Sequence, residues 1–199
     1  MHERDAAAIE ARDAAPEAFF EAGFDAAAAG YPGKRAVGYK FMIGHNPRLL
    51  REVIARREDI ALIHVHRENK LAQAASLLQA EATSQWALVG EPGAPQPMLP
   101  HRPLQLTGVI NDNATRDFLF AEWLSQLPHR RLSVEYREMF LPGFEERLCD
   151  FLGVAYDPTM SSNLRKQGTN RVLDRFEHRK AIATFMRRIG HGDWLGEEL

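Results

Sequence analysis

A chain of 199 residues, 45% apolar and 26% charged, has the make-up of one ordinary soluble globular domain and not of a disordered segment. Its formal charge of −2 argues against a wholesale nucleic-acid or anionic-membrane binder, which would need a surplus of Lys and Arg. A single cysteine, Cys149, excludes an internal disulfide, no run approaches transmembrane length and no signal peptide opens the chain, so a cytoplasmic setting is expected.

In chain order, residues 1–30 are alanine-rich and acidic, and a helix is expected to about Ala29, with Asp13 as N-cap, Pro16 in the first turn and Phe19, Phe20 and Phe24 on its apolar face. Gly30-Tyr31-Pro32-Gly33-Lys34-Arg35 reads as a turn. It is not a Walker-type phosphate loop, because Ala28 stands where the first glycine belongs, Arg35 where Ser or Thr is needed, and the segment precedes a strand. Ala36 to Met42 is expected as a buried strand, and Asn46-Pro47 as the start of a helix whose Leu49, Leu50, Val53 and Ile54 face the core. Arg48, Arg51, Arg56 and Arg57 on that helix read as a solvated face.

Ile60 to Val65 is a short apolar, β-branched run and is expected as a strand buried on both faces. A helix follows at once, with Leu71, Ala74, Ala75, Leu78 and Ala82 on one face and Lys70, Gln73, Ser76 and Gln79 turned away from it. The intervening turn lies at a strand's carboxyl end and a helix's N-terminus. Both places favour an anion, and Arg67 stands in that turn.

Residues 87–106 carry Pro92, Pro95, Pro97, Pro100 and Pro103, so an ordered loop or flap is expected there. Asn111 to Gln126 reads as a helix with Phe118, Leu119 and Trp123 on its apolar side, Arg131 to Tyr136 as a strand, and Phe144 to Leu152 as a short helix closed by Gly153. Asp157 to Asn170 is polar and irregular. A helix from about Arg171 to Ile189, capped by Gly190, and a tail complete residues 171–199. The alternation of helices and strands predicts an α/β domain with a parallel sheet over residues 1–199.

Several chemistries lack their motifs. No His-Glu-x-x-His or comparable spacing supports a metal site, no Gly-x-Ser-x-Gly elbow supports a serine hydrolase, and no glycine-rich first turn supports a dinucleotide fold. The remaining pattern is phosphate recognition by scattered side chains: Arg67 at a strand end, Ser76 on the next helix, and the pair Arg165 and Lys166 on a late loop.

Those residues carry a resemblance. The run from Ile63 through His66-Arg67-Glu68-Asn69-Lys70 to Ser76-Leu77 resembles the strand, arginine, helix and serine motif with which bacterial sulfotransferases of the trehalose and nodulation types hold the 3′-phosphate of 3′-phosphoadenosine 5′-phosphosulfate. Gln85-Trp86, the strand Ala36 to Met42, Val134-Glu135-Tyr136, Phe151-Leu152-Gly153 and Leu164-Arg165-Lys166-Gln167 are similar to that family in the same order, over roughly Pro16 to Gly168.

The resemblance implies a P-loop-NTPase-like three-layer sulfotransferase fold and transfer of a sulfuryl group to a hydroxyl of a carbohydrate or glycolipid. It also implies that Arg67, Ser76, Arg165 and Lys166 bind the 3′-phosphate of the co-substrate. The family's first strand and its Pro-Arg-Ser-Gly-Ser loop for the 5′-phosphosulfate have no counterpart here, so a missing first strand, reduced activity and an exposed sheet edge, covered by a second copy, are expected. No catalytic base is assigned, although His45, His66 and Glu135 are chemically able. The alternative is a non-catalytic nucleotide-binding or interaction module of the same fold. A kinase-like domain is disfavoured by the absent Walker sequence.

Overall fold

The computed structural model describes residues 6–42, 46–89, 96–162, 164–166 and 168–199. It is a mixed helix and strand architecture in which the chain forms two compact units, each assembled from three segments. The first comprises residues 1–64, 120–133 and 146–156, and the second 65–119, 134–145 and 157–199. No helix among the described residues is long and apolar enough to cross a membrane.

In the first unit, helix α1 (Ala6–Ala14) and helix α2 (Pro16–Gly30) meet at Ala15. Asp13 therefore lies inside α1 and is not the N-cap expected of it, whereas Pro16 takes the first position of α2, where its missing N–H is no loss. The expected strand over Ala36 to Met42 does not form. Tyr39 instead turns back onto α2, its ring 5.6 Å from Phe20 and 5.2 Å from Phe24. Gly23 eases this packing, because a Cβ there would lie 3.1 Å from the Tyr39 ring and push it back by a few tenths of an ångström.

Asn46 behaves as its sequence context predicts, its side-chain oxygen accepting the Leu49 N–H at 3.0 Å. The helical segment after it is a π turn, Leu49–Val53, followed by a 3-10 turn, Ile54–Arg56. Its buried Leu49, Val53 and Ile54 join Phe20 as the core of this unit, with Phe41, Leu62 and Trp123 against them. Its arginines form ion pairs, Arg48 with Glu52 at 3.1 Å and Arg57 with Asp59 at 2.8 Å, in keeping with a solvated face. Helix α5 (Phe144–Leu152) ends as expected at Gly153, whose φ of 68° suits glycine.

Strands β1 (Leu62–His66) and β3 (Arg131–Glu135) form a small parallel two-stranded sheet. β1 is not buried on both faces: Ile63 is 42% and Val65 50% exposed, alternating with better-covered Leu62, His64 and His66. A nearly continuous apolar run, broken only by His64, here belongs to a strand covered on one side only.

In the second unit, helix α3 (Lys70–Thr83) starts from Asn69, whose buried side chain accepts the Ala72 N–H at 2.9 Å and donates to the Trp194 carbonyl at 3.0 Å. Leu71, Ala74, Ala75 and Leu78 are buried as their spacing predicts. Ala72, Gln79 and Ala80 are buried too, while Ala82 is exposed, so the covered face is broader at its start and does not reach the last turn. Strand β2 (Leu88–Val89) pairs antiparallel with strand β4 (Leu164–Arg165).

Helix α4 (Pro103–Ser125) begins inside the expected proline-rich loop, because Pro103 can start a helix as readily as end one. Its first turns bury Leu106 and Ile110, whereas Phe118 and Leu119, expected on the apolar side, are mostly exposed. The single helix expected from Arg171 to Ile189 is two pieces, a 3-10 turn Val172–Arg175 and helix α6 (Arg179–Arg188). The physical cause is Leu99: its N–H donates to the Arg175 carbonyl at 2.7 Å and its carbonyl accepts the Glu177 N–H at 3.0 Å, taking backbone groups a continuous helix would use. Phe176, in the gap, is fully buried with Leu71, Leu99, Val172, Ile182 and Met186.

Replacing Asn69 with alanine removes a helix cap and leaves the Trp194 carbonyl short of a donor. We expect Asn69→Ala to lower stability by about 2 to 3 kcal/mol, the sum of a cap and a buried hydrogen bond. Urea unfolding should register it as a lower midpoint with an unchanged slope.

Candidate anion-binding site

All the groups described here belong to the second unit. The chain leaves β1 at His66, and Arg67 is the next residue, two ahead of the α3 cap. From there its guanidinium Nη1 donates to Ser76 Oγ at 3.1 Å, a hydroxyl on the helix that the same turn begins. Arg175, brought in by the break between the 3-10 turn and α6, donates to the same Oγ, also at 3.1 Å. A hydroxyl oxygen has two lone pairs, and both are engaged by guanidiniums, so the Ser76 O–H is the group left to donate.

Glu198 sits against these cations. Arg67 Nη2 donates to its Oε1, while Arg175 Nη2 at 3.1 Å and Lys166 Nζ at 2.9 Å reach its Oε2. The carboxylate is 1% exposed, as is the Arg175 side chain. Arg175 is fixed further by the Thr169 carbonyl, which accepts its Nε at 3.2 Å and its Nη2 at 2.5 Å. Lys166 also donates to Asn170 Oδ1 at 2.5 Å. The Tyr136 ring lies under the Arg67 guanidinium, its centroid 4.5 Å from Cζ. Arg67 Nε is buried and has no partner among the described residues.

The electrostatics follow from three cations and one carboxylate in a poorly hydrated place. Burial holds Arg67 down to about 10, with Arg175 adding to the depression and Tyr136 opposing it. Arg175 is lowered by burial as well. The Lys166 ammonium is pulled down to about 8, first by desolvation and then by the positive charges of Arg175 and Arg67. The cluster thus has surplus positive charge, and its geometry offers guanidinium, ammonium and hydroxyl donors around one point, the donor set of a tetrahedral oxyanion site.

Of the four residues expected from the sequence, Arg67 and Ser76 are hydrogen-bonded to each other, and Lys166 shares the Glu198 carboxylate with Arg67. Arg165 lies on β4, its backbone paired with Leu88, and its side chain is outside the described residues. Sequence reasoning missed Arg175 and Glu198. Arg175 carries one signal in retrospect: a Cβ at Gly168 would lie 2.5 Å from Arg175 Cζ, so the glycine beside Lys166 makes room for this guanidinium. Glu198 carried none.

The candidate bases fare differently. His45 is outside the described residues. Glu135 caps the 3-10 turn that follows β3, its carboxylate accepting the Arg137 N–H at 2.6 Å and the Glu68 N–H at 3.3 Å. His66 is half-buried at the end of β1 and engaged by neighbours. Among the described residues no three His, Cys, Asp or Glu side chains gather as metal ligands would.

No protein-family model, curated protein or solved structure matches this chain.

The depressed Lys166 gives the site a pH signature. An anion bound beside Lys166 restores its proton, so binding takes up a proton above about pH 8 and affinity falls as pH rises from there. With sulfate, a dianion throughout, titrations between pH 7 and 10 should show affinity flat to about 8 and then declining by up to about tenfold per unit, a decline that Lys166→Met removes. Gly168→Ala forces the Arg175 guanidinium aside, and we expect it to weaken sulfate about tenfold, roughly one charge-assisted hydrogen bond, in the same titration at pH 7.

Proposed function

We propose that this chain is a sulfotransferase-type domain that holds the 3′-phosphate of 3′-phosphoadenosine 5′-phosphosulfate with Arg67, Ser76 and Lys166, Arg165 closing over the same group. The fold that goes with this reading is a P-loop-NTPase-like three-layer arrangement around the parallel sheet. The observation that carries it is the hydrogen bond of 3.1 Å between Arg67 and Ser76, with Lys166 reaching the same carboxylate as Arg67 at 2.9 Å. Three of the four residues taken from the resemblance are thus linked, Arg67 and Lys166 through the Glu198 carboxylate and Arg67 to Ser76 directly, a donor set suited to a phosphate dianion.

In the reaction, a hydroxyl oxygen of a carbohydrate or glycolipid attacks sulfur in line. The bond from sulfur to the bridging phosphate oxygen breaks, adenosine 3′,5′-bisphosphate leaves, and the hydroxyl proton passes to a base. Arg67, Ser76, Lys166 and Arg175 act at the nucleotide end: they fix the donor and do not touch sulfur. Glu135 could accept the proton only by giving up its cap. That engagement favours, as a second reading, a module that binds the nucleotide without turning over. Coverage of an exposed sheet edge by a second copy belongs to the same proposal.

Calorimetry with adenosine 3′,5′-bisphosphate tests the binding claim. Saturable binding is expected, weakened by about ten- to a hundredfold in Arg67→Ala and less in Ser76→Ala, the loss of a charged and a neutral hydrogen bond respectively. Undetectable binding, or binding indifferent to both substitutions, would sink the assignment. Transfer of labelled sulfate to sugar acceptors then separates the enzyme from the binding module.

A further inference from the structure

We infer that the Glu198 carboxylate is an internal anion occupying this site, and that a tetrahedral dianion enters by displacing it. The inference rests on the reading of the cluster as an anion site but not on sulfuryl transfer. It starts from charge: Arg67, Lys166 and Arg175 bring three positive charges to one carboxylate, which offsets a single charge. A phosphate or sulfate dianion would offset two.

Geometry points the same way. A carboxylate has two oxygens in a plane; here Oε1 takes Arg67, and Oε2 takes Lys166 and Arg175. Two donors on the same groups are not used by it: the Ser76 O–H, and Arg67 Nε, which is buried and has no partner among the described residues. A tetrahedral anion has a third and a fourth oxygen for such donors. Glu198 thus fills the site with fewer contacts than the site can make.

The hold on the backbone around Glu198 is slight. Its N–H donates to the Asn170 carbonyl at 3.1 Å, Asn170 Nδ2 donates to the Leu199 carbonyl at 3.3 Å, and an isolated bridge joins Arg171 to Glu197. The Arg171–Glu197 ion pair, 3.3 Å long, is solvent-exposed on both sides and adds little. What keeps this segment in place is chiefly the Glu198 side chain in the cation cluster, the interaction that an incoming dianion would replace. Occupancy of this kind reduces apparent affinity by the fraction of time the site is open: a site open one-hundredth of the time binds about a hundredfold more weakly than its intrinsic constant.

The test compares the full chain with Glu198→Gln, using inorganic phosphate and adenosine 3′,5′-bisphosphate as separate probes in calorimetry. We expect the glutamine variant to bind each at least about tenfold more tightly, the removal of a competing charge. Equal gain for both probes locates the effect in the shared phosphate chemistry, and a gain confined to the bisphosphate still supports displacement with the nucleotide as the anion's source. Wild type that binds while Glu198→Gln binds equally or more weakly overturns this inference alone and leaves the anion site standing. Absence of binding by both chains overturns the anion site and this inference together.

Should Glu198→Gln fail to fold, hydrogen exchange on the wild type decides. Bisphosphate binding is expected to speed exchange of the Glu198 amide, now bonded to Asn170, while the amides of α3 slow. A Glu198 amide that stays protected in the bound chain overturns the inference.

Discussion

The buried carboxylate of Glu198 and the three cations around it tie together the β1–α3 turn, the residues after β4, the 3-10 turn before α6 and the end of the second unit. Neither side of this cluster could sit where it does without the other. An unpaired carboxylate at 1% exposure, or Arg175 buried to the same degree without acceptors, would carry a desolvation penalty of several kcal/mol per ion. Pairing offsets that penalty only where the geometry is good and the remaining donors are satisfied. Here the Thr169 carbonyl takes two N–H groups of Arg175, Ser76 takes one from each guanidinium, and Asn170 takes one from Lys166. The cluster is a largely satisfied polar network with a charge imbalance, and the proposed anion binding rests on that imbalance.

Its placement depends on apolar packing some residues away. Arg175 reaches Ser76 because the chain leaves its 3-10 turn there instead of continuing as a helix, and that interruption is enforced by the two Leu99 backbone hydrogen bonds flanking buried Phe176. Ser76 is presented by a helix whose start is fixed at Asn69, itself tied to the Trp194 carbonyl. Residues far apart in sequence are therefore held to one point by core contacts that have no polar role. The Gly168 position, with no room for a methyl group beside Arg175, is where this packing and the polar network meet.

The legible parts of the sequence were those with a local cause. The Asn46 and Asn69 caps, the α3 face around Leu71 and Leu78, the Gly153 ending and the two strands of the sheet all follow from spacing or from a side chain bonding its own neighbourhood. The errors were tertiary. Tyr39 packs into a notch at Gly23 instead of entering a strand, and Leu99 splits a periodic helical pattern that the sequence presents as continuous. Pro103 reads from the sequence as part of a loop, whereas it opens a helix whose first turns bury Leu106 and Ile110. In the site, Arg67 and Ser76 were visible because nine residues of strand end and helix relate them. Arg175 and Glu198 were not, since 99 residues separate Arg175 from Ser76 and nothing local relates Glu198 to Arg67.

The same donors bear on selectivity. Guanidinium and ammonium groups attract any anion, so charge alone does not separate a carboxylate from a phosphate or a sulfate. The distinction lies in the number and arrangement of oxygens. Two planar oxygens satisfy Arg67 Nη2, Lys166 and the outer edge of Arg175, as Glu198 does. An anion with further oxygens has acceptors to spare for the Ser76 hydroxyl and Arg67 Nε, and each such contact would be worth about a tenfold preference. On the proposed reading, selectivity for tetrahedral anions would reside in the neutral hydroxyl and in the guanidinium nitrogen that the internal carboxylate leaves unpaired, while the positive charges would set how tightly anions of every shape are held.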